Sequence, residues 1–263
     1  MIHPTAVIHP GAQIDPTAQV GPYAVIDAFV TLSAHCVVGP LVHLTGHTSI
    51  GARNRFHAGC VIGDAPQDLK YKSAPTRLRI GDDNVFREHV TIHRSNKMEE
   101  DTMIGSNNLL MASCHVGHNS QVGNHVVMVN GALVAGHVTV GDRALLSGNC
   151  MVHQFTRIGT LSLMQGGARL SKDLPPYTIG CELNEVGGLN VLGLRRAGFT
   201  AGQRLELRRL YLALFRGRRR FSEALADACL KFQSTEARVL LDFCSNSKRG
   251  VCFTGRNLKL KAD

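Results

Sequence analysis

Tryptophan is absent from this 263-residue sequence, and Phe, Trp and Tyr together make up only 5% of it. A conventional core of large aromatic rings is therefore disfavoured, and one built from Val, Ile, Ala and Gly is favoured. Charged residues make up 19%, below the usual quarter. The apolar fraction of 44% argues against wholesale disorder. The composition predicts a folded chain whose interior side chains are small and mostly aliphatic.

Long apolar runs and signal-peptide features are also missing. No run of eighteen apolar residues occurs, so no membrane span is expected. The start, Met1 to Pro4, lacks both a basic region and an apolar stretch, and it does not resemble a signal peptide. The eight cysteines form no CxxC pair and do not resemble a disulfide framework. These absences favour a cytoplasmic location.

The excess positive charge lies in the last third of the chain. The formal net charge is +9. Residues 1–182 hold 13 Lys and Arg against 13 Asp and Glu, whereas residues 183–263 hold 16 against 7. The sequence therefore predicts a neutral domain over 1–182 and a basic domain over 183–263.

Aliphatic residues, with Phe at two positions, recur at every sixth position through the neutral domain. The register runs unbroken from Ile2 to Ile62, returns at Ile80, and runs again from Ile104 to Met164. A period of six fits neither a helix nor a simple strand alternation. It fits a short strand and a tight turn, and three such hexapeptides close a triangular coil of about eighteen residues. We therefore predict a parallel β-helix whose aliphatic register faces inward.

A smaller residue, Ala or Cys, often stands two positions before the aliphatic one. Free cysteine packs as a small hydrophobe, so the cysteines at this position are interpreted as core residues. They are Cys36, Cys60, Cys114 and Cys150.

Two polar segments, 63–79 and 94–103, interrupt the repeat. Both are predicted to be loops extruded from the prism, and loops on a rigid scaffold are where binding groups tend to lie. Beyond Pro176 the pattern becomes helical and predicts a small helical bundle. Thr200 is predicted to begin the first long helix through a capping box with Gln203. Helix caps are also expected at Ser222 and at Ser234 or Thr235.

Three of the thirteen histidines are spaced by nearly one coil. The interval from His118 to His137 and the interval from His137 to His153 each fall within two positions of a full coil, so we expect all three near one corner of the prism on successive coils. Imidazoles arranged in this way can bind zinc, or they can supply a general base and polar substrate ligands. They can also simply bond to turns. Gly117 leaves room for a ligand beside His118, which favours a functional role for this histidine.

Eight motifs extend from the repeat into the helical domain, and together they resemble those of bacterial UDP-N-acetylglucosamine acyltransferases. The motif set is specific, although the hexapeptide repeat is shared with many acyltransferases. The motifs are Asp68-Leu-Lys70-Tyr71, Thr91-Ile-His93-Arg94, Asn108-Leu-Leu-Met111, His115-x-x-His118, Ala135-Gly136-His137-Val138, Val152-His153-Gln154-Phe155, Asp173-x-Pro-Pro-Tyr177 and Gly193-Leu-Arg-Arg196.

The resemblance implies a left-handed parallel β-helix with a C-terminal helical domain, assembled as a homotrimer with active sites between subunits. It implies transfer of a 3-hydroxyacyl chain from acyl carrier protein to the 3-hydroxyl of UDP-N-acetylglucosamine, the first step of lipid A biosynthesis. No cofactor, metal or nucleic-acid partner is implied. Acyl carrier protein is acidic, so the basic domain is expected to dock it. Non-specific surface charge and nucleic acid are the alternative interpretations of that charge.

The resemblance also assigns roles to residues. His118 matches the general base, and the backbone N–H of Gly136 matches the oxyanion donor. Asp68 and Lys70 match residues that hold the sugar nucleotide. Gly166 falls where the family measures acyl length, and a glycine there should admit a longer chain. The remaining assignments are cleft residues His93, His115, His137, His153 and Gln154, and nucleotide contacts Asn190 and Arg196.

Three residues depart from the family pattern. Asn119 stands where the family commonly has Asp, and an amide orients an imidazole but stabilises imidazolium less well than a carboxylate. Leu192 replaces an acidic residue near the nucleotide, and Ala197 replaces a basic one beside Arg196. The last two bear on nucleotide affinity and not on the reaction class.

Three alternatives remain open at the level of sequence. The acceptor could be a 3-amino analogue of the sugar nucleotide. A zinc lyase of the carbonic-anhydrase type uses the same prism, but its signature pairs histidines five apart, whereas His115 and His118 are three apart. A hexapeptide-repeat assembly protein without activity is the third alternative.

Overall fold

The computed structural model describes residues 1–217 and 219–254. Residue 218 and residues 255–263 of the predicted basic domain lie outside this range. Within the described ranges, a three-sided prism of short parallel strands is followed by helices. None of the described helices is long and apolar enough to cross a membrane.

Most strands of the prism are only two to four residues long, because each side of a coil holds one hexapeptide. The strands are β1 Val7–Ile8, β2 Gln13–Ile14, β3 Gln19–Val20, β4 Val25–Ile26, β5 Val30–Leu32, β6 Val37–Val38, β7 His43–Leu44, β8 His47–Ile50, β9 Arg55–Phe56, β10 Val61–Asp64, β11 Arg77–Ile80, β12 Val85–Phe86, β13 Thr91–His93, β14 Thr102–Ile104, β15 Leu109–Leu110, β16 His115–Val116, β17 Gln121–Val122, β18 Val127–Met128, β19 Leu133–Val134, β20 Thr139–Val140, β21 Leu145–Leu146, β22 Met151–Val152, β23 Arg157–Ile158, β24 Leu163–Met164, β25 Arg169–Leu170, β26 Thr178–Cys181 and β27 Glu185–Leu189.

Every third strand belongs to the same face of the prism. Face 1 runs from β1 to β25, face 2 from β2 to β23, and face 3 from β3 to β24. Strands on successive coils pair in parallel with an offset of one three-hexapeptide coil, as in Val7 with Val25 and Leu133 with Met151. Face 3 ends with β26 and the antiparallel strand β27. The predicted left-handed parallel β-helix is confirmed.

The aliphatic register faces the interior, as its period predicted. Ile62, Val116 and Val134 are fully buried, whereas Ile2, in the first coil, is half exposed because it lies at the end of the stack. The four cysteines assigned to the small position are also fully buried. Burial raises the pKa of the Cys60 and Cys114 thiols to about 11, so both are protonated and act as packing groups.

A stacked pair of phenylalanines lies in the core of the prism. Phe56 and Phe86 are fully buried, and their rings lie 4.8 Å apart between centroids. Phe86→Ala is expected to lower the free energy of unfolding by about 3–5 kcal/mol, because the lost apolar contacts leave a cavity between rigid coils. Phe86→Leu retains most of the volume and should cost about 1 kcal/mol. Denaturant unfolding of both variants checks this, and equal losses would contradict the cavity explanation.

Both interruptions of the repeat leave the prism at one corner. The first connects β10 to β11 and the second connects β13 to β14, so each lies in a turn from face 1 to face 2. The predicted limits were too wide, because β10 continues to Asp64, β11 begins at Arg77, and β14 begins at Thr102. Residues 65–76 and 94–101 form the extruded loops.

Four helices follow the prism within the described ranges: α1 Val191–Arg196, α2 Ala201–Phe215, α3 Phe221–Lys231 and α4 Thr235–Ser245. The capping box of Thr200 with Gln203 is present, and Ser234 caps α4. The cap predicted at Ser222 is wrong, because α3 begins one residue earlier and its N-cap residue, Arg220, makes no capping bond.

The predicted division between residues 182 and 183 falls in the turn between β26 and β27. The first residues of the predicted helical domain therefore form a strand, since β27 pairs with β26 and completes face 3.

Candidate active site

The corner between faces 1 and 2 carries both extruded loops and the predicted histidines. His118 lies in the turn between β16 and β17, Gly136 and His137 lie one coil further on, and His153 and Gln154 lie in the turn after β22. Two loops and three imidazoles are thus stacked along one edge of the prism. This edge is the candidate active site.

The three histidines do not form one straight column. The strand pairing of β16 with β19 places Gly136, and not His137, in register with His118. His137 lies in register with Asn119 and stacks on Phe155 at 4.6 Å, while its ring meets that of His118 edge-on at 5.1 Å. His153 is exposed. The predicted column is therefore offset, because one interval is slightly longer than a coil and the other slightly shorter, which moves the side chains along the turn.

The ring of His118 is buried and is held by its chain neighbour. Its Nδ1 lies 2.9 Å from Oδ1 of Asn119. The amide nitrogen Nδ2 of Asn119 donates to Ser95 Oγ at 2.7 Å and to Glu100 Oε2 at 3.1 Å. The backbone N–H of Asn96 donates to Oδ1 at 3.0 Å. These bonds leave one orientation for the Asn119 amide.

This orientation determines the tautomer of His118. Because Nδ2 of Asn119 faces two acceptors, its oxygen faces the ring and accepts the hydrogen on Nδ1 of His118. The unprotonated nitrogen is then Nε2, which is the state a general base requires. The amide at position 119 therefore orients the imidazole, as the sequence predicted.

Gly136 lies directly against the ring of His118. A Cβ at this position would come within 2.8 Å of Cε1 and Nε2 of His118, so only glycine fits. The neighbouring N–H groups of Ala135 and His137 bond to backbone carbonyls, whereas that of Gly136 has no acceptor in the described part of the chain. An available N–H beside a basic nitrogen is the pair that acyl transfer needs.

Two further histidines in the cleft, and one beside it, are uncharged at neutral pH. His115 bonds through Nδ1 to Thr91 Oγ1 at 2.8 Å, and His93 meets its ring edge-on. Burial lowers the pKa of His115 to about 4, and burial also lowers the pKa of His93. Burial likewise lowers the pKa of His137. Neutral imidazoles can both donate and accept hydrogen bonds from a polar ligand.

A cavity of about 300 Å³ opens at this site. Five of the residues assigned from the sequence line it: His93, His115, His118, Gly136 and Gln154. Its floor continues over Leu133 and Met151, two apolar side chains that are each about 40% exposed on face 1. The cavity therefore combines a polar end with an apolar track.

The first loop brings Asp68 near the site. Its Oδ2 accepts from Asn96 Nδ2 at 2.7 Å, and the backbone of Asn96 bonds in turn to Asn119. The Lys70 N–H, followed by the Asn96 amide, holds the pKa of Asp68 below its usual value. Lys70 itself is exposed. Asp68 is thus a fixed carboxylate at the edge of the cleft.

Asn190 and Arg196 lie elsewhere. They line a second cavity of about 240 Å³ on face 3, together with Leu192 and Ala197, two of the residues that depart from the family pattern. The Asn190 side chain caps α1 by accepting from the Gly193 N–H and also donates to the Leu161 carbonyl. A single chain does not bring these residues to the cleft of His118.

Sequence reasoning missed the residues that support His118. Ser95, Asn96, Glu100 and Thr102 all bond to Asn119, and all come from the second loop or its border. One indication of these contacts was available in the sequence, because the second loop leaves the prism at the same corner one coil before His118.

Among the described residues, no group of three or more His, Cys, Asp or Glu is arranged to hold a metal ion.

The fold and the site define a class: a hexapeptide-repeat β-helix with an oriented imidazole beside an available backbone N–H. A family model described as "Udp N-acetylglucosamine O-acyltransferase; Domain 2" matches residues 173–252. The acyl-[acyl-carrier-protein]–UDP-N-acetylglucosamine O-acyltransferase of Gloeothece citriformis is 44% identical over 97% of this chain and 92% of its own length. That of Syntrophobacter fumaroxidans is 41% identical over 95% and 98%.

A solved structure is also similar over nearly the whole of this chain. The crystal structure of UDP-N-acetylglucosamine O-acyltransferase from Moraxella catarrhalis matches with a TM-score of 0.91 and 36% identity, covering 95% of this chain and 99% of that one. The chain belongs to the acyl-[acyl-carrier-protein]–UDP-N-acetylglucosamine O-acyltransferase family.

Proposed function

We propose that the protein transfers a 3-hydroxyacyl chain from acyl carrier protein to the 3-hydroxyl of UDP-N-acetylglucosamine, the first step of lipid A biosynthesis. The observation that carries this proposal is the pairing of His118 with Gly136. The ring of His118 is oriented through Nδ1, and its Nε2 lies beside an N–H that has no acceptor in the described ranges.

The proposed chemistry needs only these two groups. Nε2 of His118 takes the proton of the sugar hydroxyl as its oxygen attacks the thioester carbonyl. The Gly136 N–H donates to the oxyanion that forms. Collapse expels the thiolate of the donor, which takes the proton back from the imidazolium. The products are an ester and a thiol, and no covalent enzyme intermediate is required.

Polar groups around the cleft are suited to bind the sugar. We assign hydroxyl contacts to Asp68, whose carboxylate is fixed by Asn96, and to His93 and His115, which are neutral. The other proposed contacts to the sugar nucleotide border the same corner: Lys70, His137, His153 and Gln154. The acyl chain is assigned to the apolar track over Leu133 and Met151.

A homotrimer would complete this site. The cleft of His118 opens on face 1 and at the corner to face 2, whereas the cavity of Arg196 opens on face 3. Three-fold assembly of prisms can bring face 1 of one protomer opposite face 3 of the next, because a heterologous contact that closes forms a ring. The nucleotide would then contact Asn190 and Arg196 of the neighbouring subunit.

The helices offer a surface for the acidic donor protein. Arg208, Arg209 and Arg216 are exposed on or just after α2, and Arg219 and Arg220 are exposed before α3. Such a surface would steer an acidic carrier toward the cleft. We place the protein in the cytoplasm, since its eight free thiols, six of them buried, suit a reducing compartment.

The proposal is tested by incubating the protein with UDP-N-acetylglucosamine and a panel of acyl carrier protein thioesters, and by reading products by mass. A parallel reaction with the 3-amino analogue distinguishes the two acceptors. Transfer to the hydroxyl acceptor supports the proposal, and preference for the amine would replace it with the N-acyltransferase alternative. No transfer to either acceptor would overturn it.

Gly166 gives a separate prediction about acyl length. It lies in the turn from face 3 to face 1, at the far side of face 1 from His118. An added Cβ would make only an ordinary contact, 3.5 Å from the Gly148 carbonyl oxygen. Gly166→Leu should therefore fold normally and shift the preferred donor to a shorter chain by several carbons. Competition between thioesters of different length measures this, and an unchanged preference would remove Gly166 from the acyl site.

A further inference from the structure

Glu100 lies one amide group away from the general base. It belongs to the second loop, and its Oε2 accepts from Nδ2 of Asn119 at 3.1 Å. The same Asn119 amide also contacts the general base, because its Oδ1 lies 2.9 Å from Nδ1 of His118. The hydrogen bond and charge of Lys97 hold the pKa of Glu100 below its usual value, so this carboxylate is ionised at neutral pH.

The amide between the two groups carries no charge of its own. When His118 takes a proton from the acceptor hydroxyl, its ring becomes an imidazolium that a nearby negative charge stabilises. Asn119 cannot supply that charge, but its dipole points in the required direction, with the oxygen toward the ring and the NH₂ group toward the carboxylate. Hydrogen bonds in such a chain polarise one another, so the carboxylate strengthens the bond that Asn119 makes to the ring.

We infer that Glu100 is the acidic partner of His118 and acts across Asn119 as a positioning residue for acyl transfer. The protein thus contains a Glu100–Asn119–His118 relay, in which the carboxylate has moved from position 119 to the loop. The hydroxyl proton goes to Nε2 of His118, and Glu100 remains ionised throughout. This inference rests on the proposed function.

The surroundings of Glu100 define the competing explanation. Its Oε1 accepts from Lys97 Nζ at 3.2 Å, and its Oε2 is 3.7 Å from Nδ1 of His137. A purely structural role would be to fix the loop through these contacts. The two roles differ in what activity depends on. The relay requires one carboxylate, which can stand at position 100 or at position 119, whereas the structural role requires the contacts of Glu100 within the loop.

Two single variants and the double variant that combines them, which moves the carboxylate from position 100 to position 119, separate the two roles. Glu100→Gln retains an acceptor for Asn119 but removes the charge, and it should lower kcat about tenfold with the KM for the sugar nucleotide nearly unchanged. Asn119→Asp alone puts a second carboxylate about 3 Å from the first, so it should also lower kcat, because like charges at this distance oppose each other. The double variant Asn119→Asp/Glu100→Gln restores one carboxylate, and the amide introduced in the loop becomes its donor. Its kcat should return to within about threefold of wild type.

Glu99→Gln is the matched control. Glu99 is exposed in the same loop, and no ion pair or side-chain hydrogen bond involves it within residues 1–217 and 219–254. It should behave as wild type. Thermal unfolding of each variant monitors the fold, so that a loss of kcat at unchanged stability reports on the relay.

The outcomes are distinct. Recovery in the double variant supports the relay. A double variant no better than the weaker single variant, or a Glu100→Gln enzyme as fast as Glu99→Gln, would overturn the relay while leaving the proposed function intact. A wild-type protein that is inactive with every donor would overturn the proposed function and this inference together.

Discussion

Replacing His118 with alanine is expected to lower kcat/KM for acyl transfer by about 10³-fold, because this ring is held through Nδ1 and its Nε2 lies beside the Gly136 backbone. His93 and His115 are neutral, but Nδ1 of His115 is engaged by Thr91 and neither ring lies against Gly136. Initial rates with UDP-N-acetylglucosamine and an acyl carrier protein thioester measure the loss.

The matched control is His125→Asn. His125 is exposed in the next turn of the same coil, and asparagine tolerates its positive φ of 55°. This variant should retain wild-type activity. A His118→Ala enzyme that kept more than a tenth of the wild-type rate would exclude His118 as the general base, and an assembly protein without activity would show no difference between any of these variants.

Mixed assemblies of two impaired variants should regain activity. His118→Ala removes the base on face 1, and Arg196→Ala removes a proposed nucleotide contact in the face 3 cavity. If each site combines face 1 of one subunit with face 3 of the next, every mixed trimer contains one intact site. Its rate should be about one third of the wild-type rate per trimer.

Co-expression of the two variants with different affinity tags, followed by two successive purifications, yields mixed trimers alone. Their rate is compared with that of each parent variant at a low concentration of sugar nucleotide. If each site lay within one subunit, activity would not recover, because every subunit of the mixed trimer lacks either His118 or Arg196. A mass other than that of three chains in light scattering would also contradict the proposed assembly.

Some features of the site could be read directly from the sequence. The register from Ile2 to Met164 predicted the coil length, and the coil length predicted that His118, His137 and His153 would lie near one corner. The spacing did not predict which side chains meet. His137 was expected in one column with His118, but it lies one position out of register, so its ring meets that of His118 edge-on and stacks on Phe155.

The contacts of the second loop are the largest part of the site that the sequence did not predict. Its polar composition marked it as an extruded segment, but nothing in the sequence indicated that Ser95, Asn96 and Glu100 all bond to Asn119. The family pattern led to the expectation that an amide at position 119 would leave the imidazolium less stabilised. The structure places a carboxylate behind that amide, which changes the expectation for this chain.

The amino-acid order by itself determined the prism, because a period of six matches neither a helix nor a strand alternation and buries its aliphatic side chains when three hexapeptides close a coil. It also determined the motifs that place the chain in its family. Only the tertiary structure decided the orientation of the Asn119 amide, the approach of Glu100 to it, and the separation of Arg196 from the cleft. These depend on contacts between segments that are distant in the chain, and hydrogen-bond geometry of that kind has no periodic signature in a sequence.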